Sequence, residues 1–246
     1  MNILVCISKT PDTTSKISFK SDNTEYNSDG VTFIMNPYDE WYALVRALEI
    51  TEQNGGSVTV INVGPATNDI IIRKALAIGA ADAVRVDTEA MDSYVVAANI
   101  AAHAKSKNYD MIFLGKETID YNGSEVGAMV AEIMDLPYAS YVSRLDISGS
   151  TATITRELEG GEEVSQIDGA FVLSAAKGLA EQRIANMKGI MMAKSKPLTV
   201  VQPVQADARV SAVKYAVPPP KSGVKLVDPD NMDELVRLLH EEAKVI

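Results

Sequence analysis

Residues that could bind an anion are concentrated between Gly115 and Val126. This stretch is polar and contains a second glycine, Gly123. Asn122 stands three residues before Glu125, a spacing typical of the capping box at a helix start, with Asn in place of Ser or Thr. The free N–H groups of a helix start and the positive end of its dipole suit a phosphate. The local pattern is compatible with a phosphate-binding loop and also with an ordinary strand-to-helix connection.

Regular elements on both sides would position this loop. Before it, the apolar run Met111–Leu114 predicts a buried strand. After it, apolar residues recur at the i, i+3, i+4, i+7 and i+8 positions of one helix face. These residues are Val126, Met129, Val130, Ile133 and Met134.

The first 136 residues alternate between strand and helix patterns four times. The other predicted strands are Ile3–Ser8, Ser57–Val63 and Ala83–Val86. Another predicted helix is capped by Asn36, has Pro37 at its first position and ends at Asn54. Two more helices are predicted at Asn68–Ile78 and Ser93–Lys107. This alternation predicts the α/β class, with a doubly wound, mostly parallel sheet covered by helices on both faces.

Two hairpins and a long arm complete the predicted organisation. One hairpin joins Lys16–Phe19 to Val31–Ile34 through Asp29–Gly30, and the other joins Ala152–Thr155 to Val164–Ile167. Ala170–Ser174 is a further strand, residues 203–230 are extended, and Asn231–Ala243 is a helix. We expect an α/β domain over residues 1–200 and an arm over residues 201–246. The arm either folds back on its own domain or packs on a partner subunit.

Composition excludes several classes of function. The formal net charge is −10, which argues against a nucleic-acid-binding surface. A single cysteine, Cys6, rules out an internal disulfide and a Cys-ligated metal site. No apolar run approaches the roughly 18 residues of a membrane-spanning helix. The first residues lack the pattern of a signal peptide. We therefore expect a cytoplasmic protein without a membrane insertion.

In a doubly wound sheet, ligands bind beyond the carboxyl ends of the strands where strand order reverses. If the first and fourth strands flank that point, residues 8–12, 36–39 and 115–126 come together there. A nucleotide is the expected ligand. The loop near Asn122 to Val126 would bind its phosphate, and the backbone at Cys6 and Val60 would face an adenine edge.

Candidates for catalysis are weak. His103 and His240 lie on different predicted helices, where packing or surface roles are the simpler interpretation. The chain has no G-x-S-x-G, G-x-x-x-x-G-K-[ST] or G-x-G-x-x-G pattern. Asp12, Asp39 and Asp120 could gather at the strand ends, although acids in such places usually cap helices and turns. We predict no metal site and a protein that holds a ligand without transforming it.

Several stretches occur together in one known family. They are ILVCISKTPD, MNPYDEWYALVRALE at 35–49, RKALAIGAADAVRV at 73–86, FLGKETIDYNGSEVGAM at 113–129, RELEGGEEV at 156–164 and GLAEQRIANMKGIMMAKSKPL at 178–198. In these stretches, and in their order, the chain resembles the beta subunit of electron-transfer flavoprotein along nearly its whole length.

The resemblance implies an adenine-nucleotide-hydrolase-like α/β fold and a heterodimer with an alpha subunit. One FAD, held mainly by the alpha subunit, would carry electrons from acyl-CoA-type dehydrogenases to a quinone reductase or another acceptor. The chain itself would be an electron-carrier subunit without catalytic residues. It would hold AMP, or a second FAD as in electron-bifurcating members.

The resemblance also implies site residues. The residues that would line the nucleotide site are Cys6, Asn36, Pro37, Tyr38, Asp39, Val60, Gly115, Lys116, Glu117, Thr118, Ile119, Asp120, Tyr121, Asn122, Gly123, Ser124, Glu125 and Val126. Tyr38 and Thr13 would lie nearest the FAD of the alpha subunit. Leu179, flanked by Glu181 and Arg183, matches the leucine that anchors the family's docking loop, and we expect it to be exposed.

The chain departs from the family in these same places. AMP-binding members usually read GKQAIDDDxxQTGQM, whereas this chain has Glu117 and Thr118, then Tyr121 and Asn122, then Glu125 and Val126. Two phosphate donors are lost, so AMP, a second FAD and an empty site all stay open. The docking loop GLAEQRI lacks the family's Asn, Pro and Tyr, which leaves its partner open.

Two alternatives of other classes use a related fold. A stand-alone adenine-nucleotide-binding module of the stress-protein type would leave the arm beyond residue 200 without a purpose. An ATP-pyrophosphatase-like enzyme would need an SGGxDS-like loop after the first strand, where this chain reads SKTPD.

Overall fold

The computed structural model describes residues 1–89, 92–221 and 223–246. These residues form two compact units. The larger unit comprises residues 1–16 and 28–213, and the smaller comprises residues 17–27 and 214–246. Within the described residues, no helix has both the length and the apolar character needed to cross a membrane.

The larger unit is built on one nine-stranded sheet. Along the chain, the strands are β1 (Asn2–Cys6), β2 (Lys9–Pro11), β3 (Phe33–Met35), β4 (Ser57–Val63), β5 (Asp82–Val86), β6 (Met111–Gly115), β7 (Tyr138–Ser148), β8 (Thr151–Leu158), β9 (Gly161–Asp168), β10 (Phe171–Ala175) and β11 (Leu198–Val201). The order in the sheet is β11-β5-β4-β1-β6-β10-β7-β8-β9, and β2 pairs with β3 separately. Neighbours from β11 to β7 are parallel, whereas the β7–β8 and β8–β9 pairs are antiparallel.

Helices cover both faces of this sheet. They are α1 (Asp39–Asn54), α2 (Asp69–Ile78) after a 3₁₀ turn (Ala66–Asn68), α3 (Ser93–Lys105), α4 (Val126–Met134) and α5 (Met187–Ala193). The smaller unit contains one further α-helix among its described residues, α6 (Met232–Arg237). Alternate residues of a strand point to opposite faces, so Ile3 and Leu4 of β1 enter different hydrophobic clusters. The Ile3 cluster contains residues of α1, α2 and α5, and the Leu4 cluster contains residues of α3 and α4. The predicted doubly wound α/β fold is confirmed.

Strand order reverses at β1, as the sequence predicts. Its residues pair with β4 on one side and with β6 on the other, so Val5 lies between Val60 and Phe113. The loops after β1 and β6 therefore leave the same edge of the sheet side by side.

Several predicted elements are wrong or were missed. The first hairpin is wrong, because Phe33–Met35 pairs with Lys9–Pro11 and Phe19 makes a single bridge to Tyr26. The helix predicted to start at Pro37 starts at Asp39. The sequence patterns did not reveal β7, β11 or α5. The hairpin of β8 and β9 is confirmed, with Thr155 opposite Val164.

The chain beyond β11 is bound to α3 before it leaves the larger unit. The Val204 N–H donates to Asn99 Oδ1 at 2.9 Å. Asp92 caps α3 through Val95 and also accepts the N–H groups of Arg209 and Val210 at 3.0 and 2.8 Å. The side chain of Asn99 on α3 and that of Asp92, the N-cap residue of α3, thus fix the path of residues 204–210.

The smaller unit contains the end of the chain. The Phe19 ring stacks on Tyr215 with ring centroids 4.8 Å apart, and the Tyr215 N–H donates to the Asn23 carbonyl at 2.8 Å. The predicted terminal helix is present as α6 followed by a π-helical segment, Leu238–Ala243. Residues 203–230 are predicted to be extended. Residue 222 lies outside the described residues, and residues 203–221 and 223–230 contain no helix or strand.

Candidate functional site

Asn36 joins the three loops that the sequence predicted to meet. Its backbone N–H donates to the Ser8 carbonyl at 2.9 Å. Its side-chain amide donates to the Glu117 carbonyl at 3.0 Å and accepts the Ile119 N–H at 3.0 Å. Asn36 is fully buried, with 0% exposure. It is therefore a bridge between loops, and the prediction that it caps a helix is wrong.

Glu40 fixes the same junction from the first turn of α1. One carboxylate oxygen accepts the Ser8 N–H at 2.6 Å. Burial raises the pKa of Glu40 to about 8, the Ser8 hydrogen bonds lower it, and Asp120 and Asp39 raise it further. No local sequence pattern distinguishes Glu40, because an acid in a first helical turn is expected from the helix dipole alone.

Tyr38 holds a strained backbone conformation directly before α1. Its φ is 63° and its ψ is −99°, and its side chain is 55% exposed. A positive φ in an aromatic residue costs free energy and persists only where the surroundings enforce it. Its carbonyl accepts the Tyr42 N–H at 2.8 Å, the first bond of the helix. Pro37 therefore precedes the helix, and its predicted place in the first turn is wrong.

Asp39 and Gly115 form the contact between α1 and β6. A Cβ at Gly115 would lie 2.8 Å from Glu40 Cγ and 3.1 Å from Asp39 Cβ, so only glycine allows this approach. Burial raises the pKa of Asp39 to about 6, although Lys116 lowers it and Glu117 raises it. This carboxyl is thus electrostatically coupled to the loop after β6.

The helix start predicted at Asn122 is wrong. Asn122 and Ser124 have left-handed backbones, with φ of 50° and 53°, so the helix cannot begin before them. The Asn122 N–H instead donates to the Thr118 carbonyl at 2.9 Å, closing a turn. Helix α4 begins at Val126, and its N-cap residue Glu125 makes no side-chain capping bond. The first-turn N–H groups are therefore not satisfied by Glu125.

Side chains of the loop after β6 contact one another. Lys116 Nζ lies 3.5 Å from one carboxylate oxygen of Glu117. The Ser124 hydroxyl lies 3.3 Å from the other oxygen and donates to it. Asp120, Tyr121 and Gly123 form the exposed tip of the loop.

The two strand residues predicted to face an adenine lie at different depths. Cys6 ends β1 and is 6% exposed. Burial raises the pKa of its thiol, and Glu40 adds to the rise, so the thiol stays protonated. Val60 lies inside β4, paired with Val5 and Ala83, and is 0% exposed. The structure gives Val60 no surface for a ligand.

The three aspartates do not form a metal site. The Asp12 carboxylate accepts the backbone N–H and the hydroxyl of Thr14 at 2.9 and 2.7 Å, closing a local turn. Within residues 1–89, 92–221 and 223–246, no three His, Cys, Asp or Glu side chains are placed to hold a metal ion.

The predicted exposure of Leu179 is wrong. Leu179 is 5% exposed and belongs to the core cluster that includes α1. The following loop is tied to that helix, because Trp41 Nε1 donates to the Arg183 carbonyl at 2.9 Å and Arg183 makes two bonds to Glu52 at 2.6 and 2.9 Å. Glu181 is exposed. The large apolar side chains that this region exposes are instead Ile184, at 82%, and Met187, at 73%.

The histidines have the places that the sequence predicted. On α3, His103 Nε2 lies 3.2 Å from the Tyr109 hydroxyl, and burial lowers the pKa of His103. His240 lies in the π-helical segment and is exposed. Neither residue belongs to the loops joined by Asn36. The fold places the chain in the class of doubly wound α/β proteins, in which ligands generally bind at the switch point of the sheet.

Comparison with known proteins assigns the family. A family model described as the electron transfer flavoprotein domain matches residues 24–206. The chain is 32% identical to the electron transfer flavoprotein subunit beta of Bacillus subtilis over 260 residues, covering 100% of both chains. It is 34% identical to the mitochondrial subunit beta of Arabidopsis thaliana over 255 residues, again covering 100% of both. It is 30% identical to the human subunit beta over 256 residues, 100% of this chain and 99% of the human one. The chain belongs to the electron transfer flavoprotein family, as one of its beta subunits.

Proposed function

We propose that the chain is the beta subunit of a heterodimeric electron carrier that shuttles electrons from acyl-CoA-type dehydrogenases to a quinone reductase or another acceptor. The observation that carries the proposal is the convergence of three loops on Asn36 at the switch point of the sheet, in a chain of this family. A cytoplasmic location and the absence of catalytic residues of its own belong to the same proposal.

The flavin would be an FAD held mainly by the alpha subunit. When bound, FAD supplies the electron-accepting and electron-donating chemistry. Tyr38 and Thr13 are both exposed and are the residues of this chain that would face it. The strained backbone of Tyr38 supports a role in presenting its ring, because strain of this kind often marks ligand-facing positions.

The loop after β6 would hold a second ligand, AMP or a second FAD. The residues fit the phosphate of such a ligand in part. Glu125 leaves the first-turn N–H groups of α4 available, and the Ser124 hydroxyl precedes them. Asn36 would keep Glu117 and Ile119 in position. The electrostatic fit is weaker, because Glu117 pairs with Lys116.

Docking of the electron donor would use the loop after Leu179. A buried Leu179 cannot enter another protein's pocket unless the loop opens. Ile184 and Met187 follow Arg183, which is hydrogen-bonded to α1, and both expose most of their surface. One buried aliphatic side chain stabilises a complex by roughly 1.5–3 kcal/mol, which suits a transient contact. Glu181 and Arg183 would flank this anchor.

The arm would pack on the alpha subunit. Val224 and Leu226 are 84% and 90% exposed. Apolar side chains that packed against their own chain would be far less exposed. Contiguous exposed apolar side chains commonly mark a partner interface.

Co-expression with an electron-transfer flavoprotein alpha subunit from the same organism tests the proposal. We expect a yellow heterodimer whose visible spectrum bleaches when an acyl-CoA dehydrogenase and its substrate are added. Acid extraction and chromatography then identify each bound nucleotide. A colourless chain that purifies without a partner would contradict the proposal.

A further inference from the structure

The loop between β6 and α4 carries its own anion where a phosphate would bind. Glu117 lies between Lys116, whose Nζ is 3.5 Å from one carboxylate oxygen, and Ser124, whose hydroxyl donates to the other at 3.3 Å. Lys116 is the one basic residue among residues 115–126. The cation and a hydroxyl donor of the loop are therefore both engaged by a carboxylate of the same loop.

The backbone keeps Glu117 in this place. The Glu117 carbonyl accepts a hydrogen bond from the Asn36 side-chain amide at 3.0 Å. The Ile119 N–H donates to the side-chain oxygen of Asn36 at 3.0 Å. Asn36 is fully buried, so this clamp is rigid. The Glu117 carboxylate and Lys116 therefore separate by rotation of these two partly exposed side chains, while the Glu117 backbone stays in place.

The surrounding charges also oppose a phosphate. Asp39 interacts electrostatically with both Lys116 and Glu117. An incoming phosphate would thus meet the carboxyl groups of Asp39 and Glu117 and a lysine that is already paired. Like charges in close proximity disfavour each other's ionised forms and raise the cost of bringing in another anion.

We infer that Glu117 is an internal competitor for the phosphate of an adenine nucleotide and thereby sets the affinity and selectivity of this site. The inference rests on the proposed nucleotide-binding function of the loop. A phosphate monoester, with a charge of about −1.5 to −2 at pH 7, must displace the carboxylate from Lys116 and Ser124. The uncharged adenosine part of the ligand carries no such penalty.

Glu117→Gln tests the inference in the full chain, purified in complex with the alpha subunit and stripped of nucleotide. Glutamine keeps an oxygen for the Ser124 hydroxyl but releases Lys116. We expect calorimetric titration to show AMP binding about tenfold tighter than in the wild type, since one released charge-assisted contact is worth about that factor. Adenosine should bind the variant and the wild type equally.

Two further variants separate the causes. Glu132→Gln removes an exposed carboxylate on α4 outside the loop, and AMP affinity should stay at the wild-type value. In the double variant Lys116→Gln with Glu117→Gln, the gain should disappear because the released cation is gone. The Glu117 side chain is only partly buried, at 27% exposure, so the fold should tolerate the change, as an unchanged thermal midpoint would show.

The outcomes distinguish this inference from the function on which it rests. Equal AMP affinity in wild type and Glu117→Gln, or an equal gain for adenosine, would overturn the role of Glu117 while leaving a nucleotide site in place. If AMP, FAD and adenosine all fail to bind every form, the proposed nucleotide function itself is refuted.

Discussion

Single residues at the switch point serve the structure in ways that differ from their local sequence roles. Asn36 and Glu40 have the types and positions expected of helix caps, yet both bind the backbone of distant loops. Satisfying a buried backbone N–H is worth more than a cap in water, because an unpaired buried polar group costs about 1–3 kcal/mol. The tertiary partner therefore decides how each side chain is used.

Glu40 should make the stability of the protein depend on pH. Its pKa in the folded chain is about 8, above the ordinary value of 4.5. Between these values the folded chain keeps a proton that the unfolded chain releases, so the free energy of unfolding falls as pH rises. Glu40→Gln removes this titration while retaining an oxygen for the Ser8 N–H. Between about pH 5 and 8, chemical denaturation should therefore show that the free energy of unfolding depends less on pH in the variant than in the wild type. The variant should gain most stability relative to the wild type at the alkaline end of this range.

In Glu40→Gln, the free energy of unfolding should still fall slightly as pH rises, because the pKa of Asp39 is also raised, to about 6. The other groups that interact with Glu40 are Asp120 and the Cys6 thiol. Glu132→Gln, which changes an exposed carboxylate of α4, is the matched control and should keep the wild-type profile. Parallel profiles for Glu40→Gln and wild type would contradict the assignment.

Leu179 and Ile184 should separate core packing from docking. Leu179→Ala leaves a cavity in the core and should lower the free energy of unfolding by about 2–4 kcal/mol. Ile184→Ala, at a position 82% exposed, should change that free energy by less than about 0.5 kcal/mol but slow flavin reduction by the dehydrogenase. Denaturant titration and stopped-flow kinetics measure the two effects. Normal reduction kinetics in Ile184→Ala would exclude this side chain as the anchor.

Elements in the larger unit are joined by close helix contacts as well as by the sheet. Arg73 of α2 donates to the carbonyl of Ala193, the last residue of α5, at 2.8 Å and to that of Lys196 just after it at 2.6 Å. In return, Lys196 Nζ donates to the carbonyls of Leu76 and Ala80 at the end of α2, at 2.9 and 2.6 Å. Each helix thus has its last carbonyls satisfied by a cation near the other, which fixes α5 on α2.

Gly189 should be required for this helix contact. A Cβ there would lie 2.3 Å from the Ala77 carbonyl oxygen, so α5 would have to move. We expect Gly189→Ala to destabilise the protein by about 1–3 kcal/mol and to increase hydrogen exchange in α5. Gly161→Ala is the control, because a Cβ at Gly161 meets nothing within 4 Å. If both variants unfold at the wild-type midpoint, the close approach of α5 to α2 does not contribute to stability.

The sequence predicts the central strands well because burial on both faces leaves continuous apolar runs, as in β4 and β6. It fails for β11, whose four residues lie at the sheet edge and are partly exposed, and for α5, whose methionines face outward. The convergence of the three loops follows from strand order and was predictable. The bonds from Asn36 to Glu117 and Ile119 and the burial of Leu179 depend on packing between distant segments, which no local pattern records.

At the scale of the whole molecule, the chain combines a doubly wound unit with a terminal segment that has little core of its own. Its described residues 214–246 include one buried large apolar side chain, Leu238. Conformational entropy opposes ordering a segment that buries so little apolar surface. We therefore expect partner binding to supply the missing burial.

Removal of residues 214–246 should abolish the heterodimer while leaving the larger unit folded. Residues 204–210 would remain bound to Asn99 and Asp92, so the core should keep a cooperative unfolding transition within about 5 °C of the wild-type midpoint. Leu226→Asp in the full chain is the matched variant. This side chain is 90% exposed, so the charge should leave the fold intact and weaken alpha-subunit binding by about tenfold or more. Gel filtration and calorimetry with purified alpha subunit measure both effects. Full-affinity heterodimers from both variants would show that the arm serves its own chain and not the partner.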